Sequence, residues 1–300
     1  MDERAAEIAQ IPVEVEISRF DQRFARATAD SLGTLKGDFP YLFPRQFPDS
    51  VWVEKMQDTI QLELNAAVAQ EFPELESTKL GLERLFQHVK YYFPEVEIPK
   101  VVTLTSDVDY RNQVVWADSL LLISLDTYLG VENPLYDGVQ EYIRKNFRKE
   151  LIVPHAAGAF AETVVPRPNS RSFLAHMVYY GKLLYLKDLL VPFKTDAEKM
   201  DFSSEELDWA EANEEQIWRY FVENELLYST DSDLYTRFLY PAPFSKFYLE
   251  LDNEAPARLG QFLGWQIVRQ YMGKNEVSIR EMIAQDAETI FNKSNYKPNK

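Results

Sequence analysis

Histidine is the side chain most able to bind a metal or move a proton near neutral pH, and the chain has three: His88, His155 and His176. His176 and Tyr180 are one helical turn apart, the spacing by which H-E-x-x-H holds two zinc ligands. The general base and the second histidine of that motif are replaced by Met177 and Tyr180, so the spacing predicts no zinc site. We therefore expect structural roles for the three histidines.

Other reaction types are excluded by residues that the sequence does not contain. The chain has no cysteine, which removes thiol catalysis, disulfides, iron–sulfur clusters and thiolate zinc sites. Neither G-x-x-x-x-G-K-[ST] nor G-x-G-x-x-G is present, and G-x-S-x-G is also absent. We therefore expect no cofactor, no metal ion and no catalytic residue of these classes.

Acidic residues outnumber basic residues by 48 to 32, and the formal net charge is −16. Nucleic-acid binding and docking onto anionic lipid through a basic patch both require the opposite charge, so neither is expected. The excess is local, because residues 196–233 contain 13 acidic and two basic residues. We interpret this stretch as a solvated helix face, with a docking surface for a basic partner as the alternative.

The elements that must position these residues are mostly helical. Alternating apolar residues predict a strand over 12–20, and β-branched runs predict strands over 100–105, 113–117 and 120–125. Apolar stripes of helical period predict helices over 50–71, 77–92, 136–147, 156–163, 170–190, 204–227, 254–272 and 278–292. The predicted fold class is α+β, with a small antiparallel sheet packed by helices.

No long Gly, Ser or Pro linker divides the chain. We therefore expect a single domain over residues 1–300. Its N-terminal strand and helices would occupy residues 1–99, the small sheet residues 100–130, and the helical part residues 131–300.

Two glycines lie one turn apart in the helix predicted over 254–272. Gly260 and Gly264 share a face, and each costs about 1 kcal/mol of helix stability relative to alanine. Gln261 and Arg269 on the same helix argue against a membrane-spanning dimer motif. We expect a helix whose glycine face lets another helix or strand approach closely.

Six segments, in order along the chain, carry a family resemblance. They are IPVEVEISRFD at 11–21, FPEVEIPK at 93–100, LISLDTYLG at 122–130, MVYYGKLLY at 177–185, RLGQFLGWQIVRQYM at 258–272 and IFNKSNYKP at 290–298. Together they resemble the gliding-motility lipoprotein GldB family of Bacteroidetes. Members of that family are themselves similar to predicted zinc metallopeptidases, whose H-E-x-x-H helix would align with His176–Tyr180. The resemblance implies a zincin-like architecture with a degenerate metal motif.

The resemblance also implies a setting in the cell. Such proteins are lipid-anchored on the periplasmic side of the cell envelope and take part in gliding motility or a related surface or secretion process. They are made with a signal peptide that ends at a lipidated cysteine, and this chain begins near the start of the mature part. The implied partners are envelope proteins of a motility or secretion apparatus, and the implied membrane attachment is the lipid anchor alone.

From the resemblance we expect a cleft between the 170–190 helix, an edge strand ending at residues 126–128, and the helix that carries Arg258. Its candidate lining is Asp126, Tyr128, Arg171, His176, Tyr180, Lys182, Arg258 and Trp265. The first hypothesis is a non-catalytic pseudo-enzyme that keeps a peptidase-like cleft as a binding or assembly surface. The alternative is a hydrolase, a peptidase or a glycosidase, whose acids come from Glu162, Glu250, Asp252 or Glu254.

Overall fold

The computed structural model describes residues 3–248 and 252–299, and helices make up most of it. The helices are α1 (Glu3–Ala9), α2 (Phe20–Ala25), α3 (Leu32–Asp38), α4 (Asp49–Gln57), α5 (Thr59–Glu71), α6 (Glu76–Tyr92), α7 (Glu141–Arg144), α8 (Ile152–Val164), α9 (Phe173–Leu190), α10 (Asp196–Met200), α11 (Ser204–Ala212), α12 (Glu214–Glu223), α13 (Asp233–Phe238), α14 (Leu259–Lys274), α15 (Ile279–Ala284) and α16 (Ala287–Ser294). The strands are β1 (Ile17–Arg19), β2 (Lys100–Leu104), β3 (Val114–Ala117) and β4 (Leu120–Ser124). No helix in these ranges has the length and apolar content needed to cross a membrane.

The order of the sheet follows from the apolar character of β4. Leu121 and Ile123 are fully buried, and a strand of this kind is stable between two neighbours. The order is β1-β2-β4-β3, in which β1–β2 and β2–β4 are parallel and β3–β4 is antiparallel. The predicted antiparallel sheet is therefore confirmed for the β3–β4 hairpin and wrong for the other two pairs. The reason is that β3 lies at the edge of the sheet and pairs with one side of β4, so that the other side of β4 pairs with β2.

The sheet separates two apolar clusters. Val101 and Leu121 contribute to the larger cluster, which also contains the buried faces of α6, α8, α9 and α14. Val102 faces the opposite way into a smaller cluster, where Phe20 and Phe24 of α2 lie. The alternation along β2 thus gives both faces of the sheet a helical cover.

Three helices predicted in one piece are each divided in two. The divisions fall at Asp58 between α4 and α5, at Asn213 between α11 and α12, and at Asp286 between α15 and α16. The side chain of Asp58 accepts a hydrogen bond from the Gln61 N–H, and that of Asp286 accepts one from the Thr289 N–H. Short polar side chains at such positions compete for the backbone and begin a new helix.

The helix predicted over 136–147 is confirmed only for Glu141–Arg144 and is wrong for the rest of the range. The segment forms the 3-10 turn Pro134–Tyr136, a bend at Gly138 with φ of 87°, and the short α7. The rings of Tyr136 and Phe147 are both buried, with centroids 4.6 Å apart. Contact between these two buried rings therefore determines the conformation of the segment. The helical periodicity of the apolar residues between them does not.

The helices α9 and α14 approach each other so closely that only glycine fits at their contact. A Cβ on Gly264 would overlap the Met177 carbonyl of α9, and a Cβ on Gly181 would overlap the Gly264 carbonyl. A Cβ on Gly260 would stand 2.9 Å from the backbone carbonyl oxygen of Phe238. The expected close approach along the glycine face of α14 is confirmed.

This contact predicts a severe effect of a single methyl group. Gly264→Ala should lower the free energy of unfolding by about 3 kcal/mol or more, because backbone atoms on both helices must separate. Gly273→Ala on the same helix is the control, since a Cβ there meets nothing within 4 Å. The control should leave stability unchanged or raise it by up to about 1 kcal/mol. Urea unfolding followed by circular dichroism would measure both, and equal stability of the two variants would contradict the argument.

Candidate functional site

A cleft runs along the edge strand β3 and over one face of α8. It has two adjoining lobes of about 660 and 670 Å³, which share Tyr110, Arg111, Gln113, His155, Asp201 and Pro241. One face of α8 lines the first lobe with His155, Gly158, Ala159 and Glu162. The second lobe is bounded by Lys145 and by Arg258 at the start of α14. The cleft is therefore built from the sheet edge, α8 and the first residues of α14.

A chain of hydrogen bonds lies at the floor of this cleft. The Tyr128 hydroxyl is 2.7 Å from His155 Nδ1, and His155 Nε2 is 3.1 Å from Asp201 Oδ1. The carboxylate can only accept, so Nε2 carries the proton and a neutral ring accepts the Tyr128 O–H at Nδ1. Burial raises the pKa of the Tyr128 hydroxyl well above its ordinary value, which keeps it protonated as a donor.

Asp201 and Arg258 fix the end of α10 against the start of α14. Arg258 donates from Nη1 to Asp201 Oδ2 at 3.2 Å and from Nη2 to the carbonyls of Met200 and Asp201 at 2.5 and 3.0 Å. Both residues have left-handed backbones, with φ of 53° and 61°. Such conformations cost of order 1–3 kcal/mol each and persist where the surrounding contacts enforce them.

The charge on Asp201 is stabilised by its surroundings. Burial by itself raises the pKa of this carboxyl, but the charge of Lys187, the hydrogen bond from His155 and the charge of Arg258 outweigh burial and hold the pKa well below its usual range. Asp201 is therefore an anion at neutral pH, and its two oxygens are used by His155 and Arg258.

Lys187 reaches the same cleft from α9. Its side chain is 8% exposed, and Nζ donates to the Lys199 carbonyl at 2.8 Å. Gly158 on the facing turn of α8 leaves room for it, because a Cβ there would stand 3.0 Å from Lys187 Cε. Burial lowers the pKa of the Lys187 ammonium.

Two of the eight residues predicted for the cleft come together at its floor. Tyr128 and Arg258 meet through His155 and Asp201. The expected edge strand before residues 126–128 is β4, which is an interior strand, and the cleft follows β3 instead.

Three other predicted residues make internal contacts elsewhere. Asp126 is fully buried and accepts hydrogen bonds from the backbone N–H groups of Ser106 and Val108. Lys182 donates to the carbonyls of Ile283 and Gln285, which end α15. Trp265 donates from Nε1 to Asp188 at 2.9 Å, and the Arg269 guanidinium stacks on its ring.

The last three predicted residues lie around the N-terminal half of α9. The His176 ring packs against the Tyr235 ring at a tilt of 42°, with centroids 4.5 Å apart, and the Tyr235 hydroxyl donates to the Arg171 carbonyl. Tyr180 packs edge-on against Tyr179. None of the three lines either lobe of the cleft over β3.

The acids of the hydrolase alternative are dispersed. Glu162 is exposed and lines the first lobe of the cleft. Asp252 and Glu254 belong to a 3-10 turn, Asp252–Glu254, that does not line either lobe. Glu250 lies outside the described residues.

The site depends on residues that the sequence does not predict to lie in it. The sequence predicts a structural role for His155 and no role for Asp201 or Lys187. A signal existed for Lys187, because it lies on a helix that is apolar almost all round. A signal for His155 was the run of small residues after it, Ala156 to Ala159, which clears space on one helix face.

The donor atoms of the cleft do not suit the zinc ion that a metallopeptidase-like fold implies. His155 supplies one imidazole, but Tyr128 and Asp201 already engage its two nitrogens. One helical turn further along α8 stands Ala159, which has no ligand atom. Within residues 3–248 and 252–299, no three His, Asp or Glu side chains group closely enough to hold a metal ion.

The fold and the site define an α+β protein with a cleft between a sheet edge and a helix, closed at the floor by buried charges. The family model for gliding motility protein GldB matches residues 1–298, and the chain belongs to this family. Membership suggests an envelope protein connected with gliding motility, and the family label implies a lipoprotein. No curated protein and no solved structure matches the chain, so the zincin-like architecture stays a prediction.

The buried network predicts a pH-dependent loss of stability in Asp201→Asn. The variant should lose about 3 kcal/mol or more at pH 7, because the cations around residue 201 are left without their anion. A carboxyl whose folded pKa is depressed stabilises the fold above its unfolded pKa of about 3.9 and loses that contribution as pH falls further. The gap between wild type and variant in urea unfolding should therefore begin to shrink below about pH 4.

Asp118→Asn is the matched control. Asp118 also has a left-handed backbone, with φ of 48°, but it is exposed in the β3–β4 turn. This change should alter the free energy of unfolding by less than about 0.5 kcal/mol at both pH 7 and pH 2. A gap for Asp201→Asn that stays constant from pH 7 to pH 2 would contradict the assigned role.

Proposed function

We propose that this protein is a non-catalytic, lipid-anchored component of the gliding-motility apparatus on the periplasmic side of the envelope. We further propose that it holds an extended segment of a partner protein in the cleft along β3. The family match over residues 1–298 supports a role in gliding motility and is the main observation behind the proposal. The geometry of the cleft supports the mode of binding.

The edge of β3 is suited to pairing with another strand. Ser124 N–H donates to the Gln113 carbonyl, so every second residue from Gln113 directs its backbone groups toward β4. Val114 and Trp116 are the residues between, and their backbone N–H and C=O groups point toward the open edge. An extended peptide adds to such an edge by main-chain hydrogen bonds, while neighbouring pockets select its side chains.

The hydrogen bonds of His155 support a non-catalytic role. A general base needs a nitrogen that is free to face the substrate, whereas both nitrogens of His155 are engaged by Tyr128 and Asp201. Tyr128 is fully buried beneath the ring. Among the described acids of the hydrolase alternative, Glu162 lines this cleft and is exposed.

The position of His155 on the face of α8 that lines the cleft supports our description of the cleft as peptidase-like. H-E-x-x-H peptidases present two histidines and a glutamate base from one helix face. On α8 the corresponding five residues are His155, Ala156, Ala157, Gly158 and Ala159, which retain one histidine and replace both other functional side chains. We place the degenerate motif at this helix because His155 lines the cleft and His176 does not.

Blocking the sheet edge should abolish function in cells. Deletion of the gene in the source bacterium should abolish gliding, and a Val114→Ala protein should restore it. Val114→Pro should fail to restore gliding, because proline removes an outward N–H while an edge position tolerates it within the sheet. Cell speed on agar or glass would be measured at matched protein levels. Normal gliding without the gene, or full restoration by Val114→Pro, would refute the proposal.

The purified protein should not hydrolyse peptide or glycan libraries, with or without added zinc. The informative variants are His155→Gln and Glu162→Gln, with the exposed Glu215→Gln as control. Turnover by the wild type that both cleft variants lose and the control keeps would establish the hydrolase alternative instead.

A further inference from the structure

Lys187 has hydrogen-bonding capacity that the protein does not use. An ammonium group has three N–H donors, and Lys187 makes one hydrogen bond, to the Lys199 carbonyl, within the described part of the chain. Its side chain is 8% exposed and lines the cleft. A buried donor without an acceptor costs free energy, and more so when it is charged. The two remaining donors therefore favour a bound acceptor.

The nearby acids do not supply that acceptor. Asp201 is the nearby buried anion, but its oxygens bond to His155 and Arg258. Glu162 is exposed at the rim. These two acids therefore compensate the charge of Lys187 only in part. Burial correspondingly lowers the pKa of the Lys187 ammonium.

The cleft floor is positive in a protein that is strongly negative overall. Lys187 and Arg258 are two cations beside one anion, Asp201. Of the other charges at the cleft, Lys145 pairs with Glu206 at 2.5 Å, and the exposed carboxylate of Glu162 acts on Lys187 without bonding to it. Because both oxygens of Asp201 are engaged by His155 and Arg258, the unused donors of the buried Lys187 ammonium match the oxygens of one monovalent anion.

We infer that the cleft binds a carboxylate group of the partner segment at the Lys187 ammonium. The inference rests on the proposed function, and it adds the chemistry by which the segment is recognised. The carboxylate has two sources with the same chemistry, a free C-terminus and the side chain of Asp or Glu. Strand pairing along β3 gives the segment its direction, and the charge-assisted hydrogen bond to Lys187 sets its register.

Three sets of fluorescently labelled octapeptides of Ser, Thr and Val test the inference. The first set has blocked ends and no charge, the second has a free C-terminal carboxylate, and the third has blocked ends and one glutamate at a varied position. Fluorescence anisotropy with the full chain should show at least tenfold tighter binding for one carboxylate set than for the neutral set.

Lys187→Gln and Lys182→Gln form a matched pair of variants. Both lysines are buried on α9 and donate to backbone carbonyls, and glutamine retains a donor without the charge. Lys187→Gln should abolish the carboxylate preference, so that acidic and neutral peptides bind this variant equally, whereas Lys182→Gln should keep the preference of the wild type. Lys187→Met serves the same purpose if the glutamine variant does not fold.

The outcomes separate this inference from the proposed function. Equal binding of neutral and acidic peptides, or a preference that survives loss of the Lys187 charge, overturns the carboxylate site and leaves strand pairing in place. Failure of every peptide to bind overturns both. The comparison of neutral and acidic peptides uses the wild type alone and needs no variant.

Discussion

The contact between Gly181 of α9 and Gly264 of α14 sets the geometry of the rest of the molecule. Backbone meets backbone there, so the distance between the two helices has no side chain to adjust it. This spacing brings Arg258, which precedes α14, against Asp201 at the end of α10. It also directs Lys187 of α9 toward the cleft on the side of α8. The floor of the site is therefore a consequence of helix packing.

Charge clusters on α10 and its flanks keep this floor in place. On one side, Asp201 bonds to His155 and Arg258. On the other, Asp188 accepts hydrogen bonds from Trp265, Arg269 and Lys199. Buried ion pairs contribute little net stability compared with apolar packing, but breaking one is costly. The network consequently specifies the arrangement of α10 more than it stabilises the fold.

The acidic stretch over 196–233 has two roles that charge counting does not distinguish. Several of its acids form internal contacts, among them Asp201, Glu206 with Lys145, and Glu214 with Tyr296. Others, such as Glu205 and Glu215, are exposed. The interpretation as a solvated face therefore describes part of the stretch, because each acid is used according to which cation the fold brings near it.

The sequence by itself determined the element types with strong periodicity, including α6, α9 and the β3–β4 hairpin, and the glycine-dependent approach of α14. It also carried the family resemblance, which the match over residues 1–298 confirmed. These features are local or depend on the order of segments along one chain. Only the tertiary structure decided the parallel pairing of β4 with β2 and the meeting of Tyr128, His155, Lys187, Asp201 and Arg258. Those contacts join residues separated by tens of positions, and their partners depend on long-range packing that no local pattern encodes.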